Sequence, residues 1–278
     1  MPVELARRRM LQAAAVAAVA RASPLRAQAA AAGSGRTALV FGNSRYPGAP
    51  LKNAGNDARL MQQVLGTLGF AVTPVFDADL QGMLDALQAW LQAGEAAATR
   101  LFYYAGHGAQ YRGRNYLIPI DAELRSEDDL PGRALDVNDL IARLARLAQG
   151  ANVVVLDACR STPMLQPPPG VRQRSRSPQP LQPGLAAVQA PRGTLVAYAT
   201  APGALAADDP AHDHSPYTRH LAEHLRTPGL PVEMVFKRTR SAVLRETGGR
   251  QVPWESSSLT GELCLAGAAE ICGLPARR

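Results

Sequence analysis

Two hydrophobic patterns alternate along the chain. Short continuous runs of branched and aromatic residues are typical of buried strands, whereas apolar residues that recur every three or four positions are typical of helices with one buried face. The first pattern predicts strands at 37–46, 71–77, 99–108, 152–159 and 194–203, and extended segments at 115–121 and 257–265. The second predicts helices at 56–70, 79–96, 137–149, 215–226 and 231–247. Asn56 or Asp57 is expected to cap the first of these helices.

The alternation of strands and helices indicates how they are connected. Parallel strands need long crossover connections, usually helices, and strands that are apolar along their whole length are buried on both faces. The pattern therefore predicts an α/β fold in which a mainly parallel β-sheet of about six strands is flanked by helices on both faces. In such a sheet, ligands and reacting groups gather at the carboxyl ends of the strands.

The composition fits a single well-buried domain. The chain has 278 residues, of which 46% are hydrophobic, and this suffices for one core of about 220 to 250 residues. After residue 30, no apolar run approaches the roughly 18 to 20 residues that a membrane-spanning helix requires. The sequence thus predicts no integral membrane segment in the mature chain.

Residues 1–29 are similar to an export signal that is removed from the mature protein. They begin with a basic region, continue through an alanine-rich apolar stretch, and end in the small-x-small sequence AQA. The pair Arg7 and Arg8, followed after one residue by two apolar residues, resembles the twin-arginine export pattern. These features predict a periplasmic or secreted bacterial protein. The alternatives are a disordered basic tail or a short helix.

Removal of this signal changes the charge and the expected state of the cysteines. It takes away five arginines and Glu4, so the formal net charge falls from +7 to +3 and gives no reason to expect a nucleic-acid partner. In an oxidising compartment, Cys264 and Cys272 could close a small disulfide loop, which leaves Cys159 as the third cysteine. Such a cysteine is either buried and inert or chemically employed.

Two residues with reactive side chains stand at the carboxyl ends of predicted strands. His107 follows the run LFYYAG and lies between two glycines, which are expected to let the backbone turn sharply and leave the imidazole uncrowded. Cys159 ends the run NVVVLDAC. A thiolate is a competent nucleophile, and a neighbouring imidazole can take its proton and pass it to a leaving group. The pair indicates a cysteine hydrolase; the alternative is that each residue only packs at its strand end.

The sequence around this pair resembles the caspase-like cysteine peptidases. FYYAGHG is followed, 52 residues after its histidine, by DACR, and this family carries a similar cysteine motif with its histidine about 50 residues upstream. Asp157 stands where caspases have glutamine, and Ser161 where they have glycine. At these two positions the sequence resembles the metacaspase branch and the bacterial caspase-like proteins. Further motifs fall in the family's expected order between residues 36 and 265.

This resemblance implies a three-layer caspase-like fold and a catalytic dyad. Cys159 would be the nucleophile and His107 the general base and acid. The backbone N–H groups of Gly108 and Cys159 would bind the oxyanion that forms during peptide hydrolysis.

The resemblance also implies a substrate preference. Asp57 and Asp157 match the acidic residues that line the metacaspase pocket for the residue before the scissile bond. Two carboxylates in a closed pocket imply cleavage after arginine or lysine. The alternatives are a helix cap for Asp57, a hydrogen-bond acceptor at the strand end for Asp157, and a basic pocket wall supplied by Lys52.

Residues 161–193 interrupt the regular pattern. They are rich in proline, arginine, glutamine and serine and have almost no hydrophobic periodicity, which is typical of a disordered or loosely attached linker. The linker separates a large-subunit-like part, 36–160, from a small-subunit-like part of the same domain, 194–265, and 266–278 form a C-terminal tail. The sequence RQRSR at 172–176 suits an enzyme that prefers basic residues, so self-cleavage is the alternative to a plain spacer.

No cofactor is expected. Calcium activates many metacaspases, and Asp121 fits a ligand position, but Val137 and Asn138 stand where an acidic pair would be expected. Four histidines lie within thirteen residues, and the last two have a spacing that can bind zinc: His212, His214, His220 and His224. A solvated helix face is the better interpretation of these histidines.

Together these features predict a cysteine-type endopeptidase with a Cys/His dyad that acts on peptide or protein substrates. Two other functions are compatible with the sequence. One is a catalytically idle caspase-like interaction or scaffold module, and the other is a cysteine hydrolase of small amides or esters. The presence of both dyad residues argues against the idle module.

Overall fold

Strands and helices alternate along the chain as the sequence predicts. The structure is a computed structural model that describes residues 35–147, 149–159, 184–204, 211–267 and 272. Its strands are β1 (Arg36–Gly42), β2 (Ala71–Phe76), β3 (Thr99–Tyr111), β4 (Arg114–Leu117), β5 (Leu135–Asp136), β6 (Ala151–Cys159), β7 (Thr194–Tyr198) and β8 (Trp254–Ser257). Its helices are α1 (Ala54–Thr67), α2 (Leu80–Ala93), α3 (Leu130–Arg133), α4 (Val137–Ala145), α5 (Pro216–Leu225) and α6 (Val232–Glu246), with a 3₁₀ turn at Glu127–Asp129. The predicted export signal and most of the predicted linker lie outside the described residues. None of the helices in the described ranges is long and apolar enough to cross a membrane.

The central sheet has the strand order β2-β1-β3-β6-β7-β8. Neighbouring strands in this order are parallel, except for β7 and β8, which are antiparallel. β3 continues beyond the sheet, where β4 pairs with it in antiparallel fashion and β5 pairs with β4. The prediction of a mainly parallel sheet of about six strands is therefore confirmed.

Apolar residues on both faces of the sheet explain why helices cover both sides. Along β1, Ala38 and Val40 belong to one cluster of buried residues and Leu39 and Phe41 to another, because successive strand residues point to opposite faces. The first cluster, called the α1-side core here, includes residues of α1, α5 and α6, and the second, the α2-side core, includes residues of α2 and α4. The fold is a three-layer α/β arrangement, as predicted.

Two local predictions are wrong. The first helix begins at Ala54, after Asn53, so neither Asn56 nor Asp57 caps it. The last strand is β8, at Trp254–Ser257, and not the segment 257–265. β8 lies at the edge of the sheet and its ends are exposed, so it carries no apolar run that periodicity could detect.

The C-terminal end of the predicted linker is attached to the folded body. Leu185 is buried in the α2-side core. The Asn115 side chain donates to the Ala186 carbonyl at 2.8 Å and accepts the Ala186 N–H at 2.7 Å. Residues 184–193 thus have fixed contacts. Composition could not indicate them because the Asn115 contacts are made with a peptide backbone, which has no hydrophobic pattern.

The C-terminal segment is held by covalent and polar contacts. Cys264 and Cys272 form a disulfide. The Arg36 guanidinium, at the start of β1, donates to the carbonyls of Leu68, Cys264 and Leu265 at 3.1, 3.3 and 2.9 Å. One arginine therefore ties the first strand of the sheet to the end of the small-subunit-like part.

The close packing of α1 on β1 predicts a sharp difference between two glycines. A Cβ on Gly42 would lie 2.5 Å from Ala58 Cβ and 3.0 Å from the Ala54 carbonyl oxygen, so Gly42→Ala should lower the free energy of unfolding by about 1–3 kcal/mol. Gly66→Ala, on the exposed side of α1 with nothing within 4 Å, should raise it by about 0.5 kcal/mol. Urea unfolding of both variants measures the difference, and equal effects would contradict the packing described for α1.

Candidate active site

His107 lies within β3, at the point where this strand stops pairing with β6. Only 2% of the residue is exposed. Its Nε2 lies 2.8 Å from the Ala49 carbonyl oxygen. Because a carbonyl oxygen can only accept, Nε2 carries the proton in this contact, and a neutral imidazole then has its lone pair on Nδ1. The Ala49 carbonyl therefore fixes the tautomer in which Nδ1 can take up a proton.

Two tyrosine hydroxyls hold the backbone around His107. The His107 N–H donates to Tyr46 Oη at 3.0 Å, and the Tyr104 hydroxyl donates to the His107 carbonyl at 2.7 Å. The Tyr46 hydroxyl donates to the Ile118 carbonyl at 3.0 Å, and the same carbonyl oxygen lies 3.0 Å from the Tyr104 hydroxyl, whose single proton the His107 and Ile118 carbonyls share. The Tyr46 ring packs against the imidazole with ring centroids 4.4 Å apart. Burial raises the pKa of Tyr46, so its hydroxyl stays protonated and able to donate.

The glycines beside His107 allow close packing and do not form a turn. β3 continues unbroken past both of them, and neither Gly106 nor Gly108 has a positive φ, so the predicted sharp turn is wrong. A Cβ on Gly106 would lie 2.5 Å from Tyr104 Oη and 2.7 Å from Tyr46 Oη. A Cβ on Gly108 would lie 3.2 Å from Leu185 Cδ2. The first glycine makes room for the two hydroxyls, and the second lets residue 185 lie against the strand.

The backbone of Cys159 ends β6 beside His107. In the parallel pairing of β3 with β6, Gly106 stands opposite Ala158 and His107 opposite Cys159. Neighbouring strands are about 4.8 Å apart, so the two backbones are separated by one strand spacing. The fold brings together the residues predicted as the dyad and also Gly108, whose N–H is predicted to help bind the oxyanion.

Asp57 and Asp157 are both buried and both bind Ser215. Asp57, in α1, accepts the Ser215 N–H at 3.1 Å through Oδ1 and 3.3 Å through Oδ2. Asp157, in β6, accepts the Ser215 hydroxyl at 2.6 Å. Ser215 is also the N-cap of α5, since its Oγ accepts the Thr218 N–H at 3.0 Å. Both carboxylates therefore stand at the N-terminus of α5, where the helix dipole favours negative charge.

Three further side chains extend this polar network. The Thr218 hydroxyl donates to Asp157 at 2.8 Å and lies 2.5 Å from the Tyr103 hydroxyl. His214 Nδ1 lies 3.1 Å from Asp57 Oδ1. Burial, with the charges of Asp157 and Asp57, raises the pKa of Tyr103 well above its usual range. The Tyr103 hydroxyl thus stays protonated and donates to Thr218 Oγ1, which donates its own proton to Asp157.

Lys52 joins two loops near the acidic pair. Its Nζ donates to the His212 carbonyl at 3.2 Å and lies 4.0 Å from Asp213 Oδ1. The segment before α1 is in this way held against the segment before α5.

The residues considered as metal ligands make other contacts. Asp121 Oδ1 accepts the Leu80 N–H at 3.1 Å, at the start of α2. His220 Nε2 lies 2.7 Å from Glu246 Oε2. In the part of the chain that the structure describes, no group of three or more His, Cys, Asp or Glu side chains is placed to hold a metal ion.

Several contributors to this site were not predicted, among them Tyr46, Ala49 and Ser215. Ser215 precedes a proline, and serine before proline is typical of a helix start, so its capping role was open to prediction. Its contacts with the two aspartates depend on the tertiary fold. Ala49 contributes only its carbonyl, which every residue type has, so no pattern of side chains could identify it.

Comparison with known proteins identifies the family of this chain. Residues 35–264 match the caspase domain family. The chain belongs to this family. The resemblance inferred from the motifs is therefore confirmed. Caspase-family proteins are cysteine peptidases and need no cofactor, so membership supports a caspase-like protease or a related domain.

Two curated relatives share part of the caspase-family region. The mucosa-associated lymphoid tissue lymphoma translocation protein 1 of Homo sapiens is 31% identical over 128 residues, which cover 45% of this chain and 15% of the relative. Its Mus musculus homologue has the same identity and the same coverage. The chain therefore matches about 15% of the length of either relative.

Proposed function

We propose that the protein is a cysteine endopeptidase in which Cys159 is the nucleophile and His107 the general base and acid. The observation that carries this proposal is the contact of His107 Nε2 with the Ala49 carbonyl, which leaves the lone pair on Nδ1. The backbone of Cys159 lies one strand spacing away. Membership in a family of cysteine peptidases supports the same roles.

In this mechanism, the Cys159 thiol gives its proton to His107 Nδ1 and the thiolate attacks the carbonyl carbon of the scissile peptide bond. The N–H groups of Gly108 and Cys159 donate to the oxyanion that results. The imidazolium returns the proton to the leaving amine as the C–N bond breaks, which leaves a thioester on Cys159. Water, deprotonated by His107, then hydrolyses the thioester and restores the thiol. Throughout the reaction the Ala49 carbonyl accepts a hydrogen bond from the Nε2–H group and so stabilises the imidazolium.

Asp57 and Asp157 form the acidic pocket for the substrate residue before the scissile bond. Two buried carboxylates in a poorly hydrated site favour a cation, and an arginine or lysine side chain of the substrate supplies it. The bonds from Ser215 to both carboxylates support this role because they orient the pair. The contacts of Lys52 with the segment before α5 support a role in joining loops over a role as a basic pocket wall.

The same preference makes the linker a substrate for self-cleavage. The sequence RQRSR at 172–176 presents three arginines. The folded body holds the chain on both sides of this sequence, through β6 before it and through the contacts of Leu185 and Ala186 after it. Cleavage at 172–176 would leave the two parts associated, since β6 and β7 pair in the central sheet.

Residues 1–29 serve as a twin-arginine export signal, and the mature protein is periplasmic or secreted. The order of basic, apolar and small residues supports this assignment. The Cys264–Cys272 disulfide also supports it, since disulfides persist in oxidising compartments and are rare in the cytosol.

The proposed function predicts a cleavage pattern that depends on Cys159. The protein without residues 1–29 should cut a mixed peptide library after arginine or lysine, and Cys159→Ala should cut nothing, because no nucleophile remains. Mass spectrometry of the library identifies the cuts, and intact masses of both proteins should show linker fragments in the wild type alone. Absence of cuts in both proteins, with and without calcium, would favour the idle scaffold. Faster turnover of short amides or esters than of extended peptides would favour the small-molecule hydrolase.

Removal of either carboxylate charge from the acidic pocket should weaken the reaction with basic substrates. Asp57→Asn and Asp157→Asn should each lower kcat/KM for an arginine substrate about 100-fold, because a close ion pair with the substrate side chain is lost. Asp79→Asn is a matched control, since Asp79 accepts the Gly82 N–H and caps α2. It should stay within about twofold of wild type. Kinetic assays on folded variants measure this, and equal values for all three would show that the pocket lies elsewhere.

The export assignment predicts where the protein accumulates. Replacing Arg7 and Arg8 together by lysine keeps the charge but removes the paired arginines, so the full-length precursor should remain in the cytoplasm. Fractionation of bacterial cells with detection of the precursor and mature masses tests this. Replacing Arg21 and Arg26 by lysine is the control and should leave export intact. Equal export of both double variants would contradict a twin-arginine signal.

A further inference from the structure

Asp77 stands in a strained backbone conformation directly after β2. Its φ is +49°, a region that residues other than glycine adopt at an energetic cost, and such positions cluster at functional sites. Its N–H donates to the Gly42 carbonyl at 3.0 Å, which joins it to the end of β1. The fold thus fixes an unfavourable conformation at the point where Asp77 faces the loop that follows β1.

The Asp77 carboxylate binds two successive N–H groups of that loop. Oδ1 accepts the Ser44 N–H at 2.8 Å and the Arg45 N–H at 2.9 Å, and Oδ2 accepts Arg45 Nε at 2.8 Å. Burial alone would raise the pKa of Asp77, but the N–H donors of Ser44 and Arg45 outweigh it, and the pKa lies below its usual value. The carboxylate is therefore ionised at neutral pH and holds the loop through charge-assisted hydrogen bonds.

The loop held by Asp77, residues 43–49, makes two of the contacts that orient His107. The Tyr46 hydroxyl accepts the His107 N–H, and the Ala49 carbonyl accepts the proton on His107 Nε2. Within the loop, the Ala49 N–H donates to the Tyr46 carbonyl at 3.3 Å. The Asp77 carboxylate, which binds the start of the loop, thus determines where the Ala49 carbonyl, at the end of the loop, meets the imidazole.

The same loop also contacts the start of α1, which carries Asp57. Ser44 Oγ accepts the Gly55 N–H at 2.7 Å, and the Ser44 carbonyl accepts the Leu51 N–H at 2.9 Å. Ser44 is therefore held by the first turn of α1 as well as by Asp77.

We propose that Asp77 is a positioning residue for His107: its carboxylate fixes loop 43–49 so that the Ala49 carbonyl and the Tyr46 hydroxyl hold the imidazole in its productive tautomer and orientation. This inference rests on the proposed function, in which His107 is the base. Asp77 does not touch the substrate or the thiol and acts only through the loop.

The test compares two substitutions at one position. Asp77→Gly removes the carboxylate but suits a positive φ, so any loss reports the carboxylate and not backbone strain. Asp77→Asn keeps an oxygen acceptor and also tolerates this backbone conformation. Asp77→Gly should lower kcat about tenfold or more with KM within about twofold, because the base is misplaced while the pocket remains. Asp77→Asn should lie between Asp77→Gly and wild type.

A second readout follows the thiol directly. The chain has three cysteines, and Cys264 and Cys272 form a disulfide, so iodoacetamide labelling of the native protein reports Cys159. A thiol beside a well-placed imidazole is ionised below the ordinary pKa of about 8.5. The midpoint of the labelling rate against pH should therefore rise toward that value in Asp77→Gly and rise less in Asp77→Asn. A purely structural role for Asp77 would lower the melting temperature without moving this midpoint.

Asp79→Gly is the matched control. It removes a carboxylate two residues away that caps α2 and does not contact loop 43–49, so kcat and the labelling midpoint should stay at wild-type values. A folded Asp77→Gly with wild-type kcat and midpoint would overturn the inference. If Asp77→Gly fails to fold, wild-type values for Asp77→Asn in both readouts would overturn it. A wild-type protein that neither cleaves peptides nor labels faster than free cysteine would overturn the proposed function instead.

Discussion

The parallel pairing of β3 with β6 is the constraint on which the site depends. Nine residue pairs, from Thr99 with Ala151 to His107 with Cys159, fix the register of the two central strands. A slip of one residue would turn every side chain of one strand to the opposite face, and both faces are buried under helices. The hydrophobic cores therefore enforce the register, and the register puts the backbones of His107 and Cys159 side by side.

The acidic pair shows how a fold can join distant parts of a sequence at one residue. Asp57 and Asp157 come from elements before residue 160, whereas Ser215 comes from the start of α5, beyond the linker. The Ser215 N–H donates to Asp57, and the Ser215 hydroxyl donates to Asp157. Two buried acids would repel each other without such donors, and the N-terminus of α5 adds a favourable dipole. The network thus stabilises the association of the two parts as well as the arrangement of the two carboxylates.

Sequence reasoning succeeded in placing the strongly patterned central strands. The runs ending in His107 and Cys159 were clear because central parallel strands are apolar throughout. It failed at β8, an edge strand whose sequence WESS has no such run. It also assigned a turn to Gly106, whereas this glycine accommodates the hydroxyls of Tyr46 and Tyr104, which tertiary packing brings there. The Ala49 carbonyl had no signature at all, since its role lies in the backbone.

The buried polar groups around His107 explain why one loop conformation is specified. A buried N–H without a partner costs about 1–3 kcal/mol, so the Tyr46 hydroxyl stabilises the His107 N–H where β3 leaves the main sheet. The Tyr46 hydroxyl accepts the His107 N–H and donates to the Ile118 carbonyl, whose oxygen also lies 3.0 Å from the Tyr104 hydroxyl. Such a shared network is satisfied by few geometries, since moving one member leaves several groups unpaired. The same requirement that stabilises this region therefore also holds the imidazole in place, and the orientation of His107 follows from hydrogen-bond satisfaction in the fold.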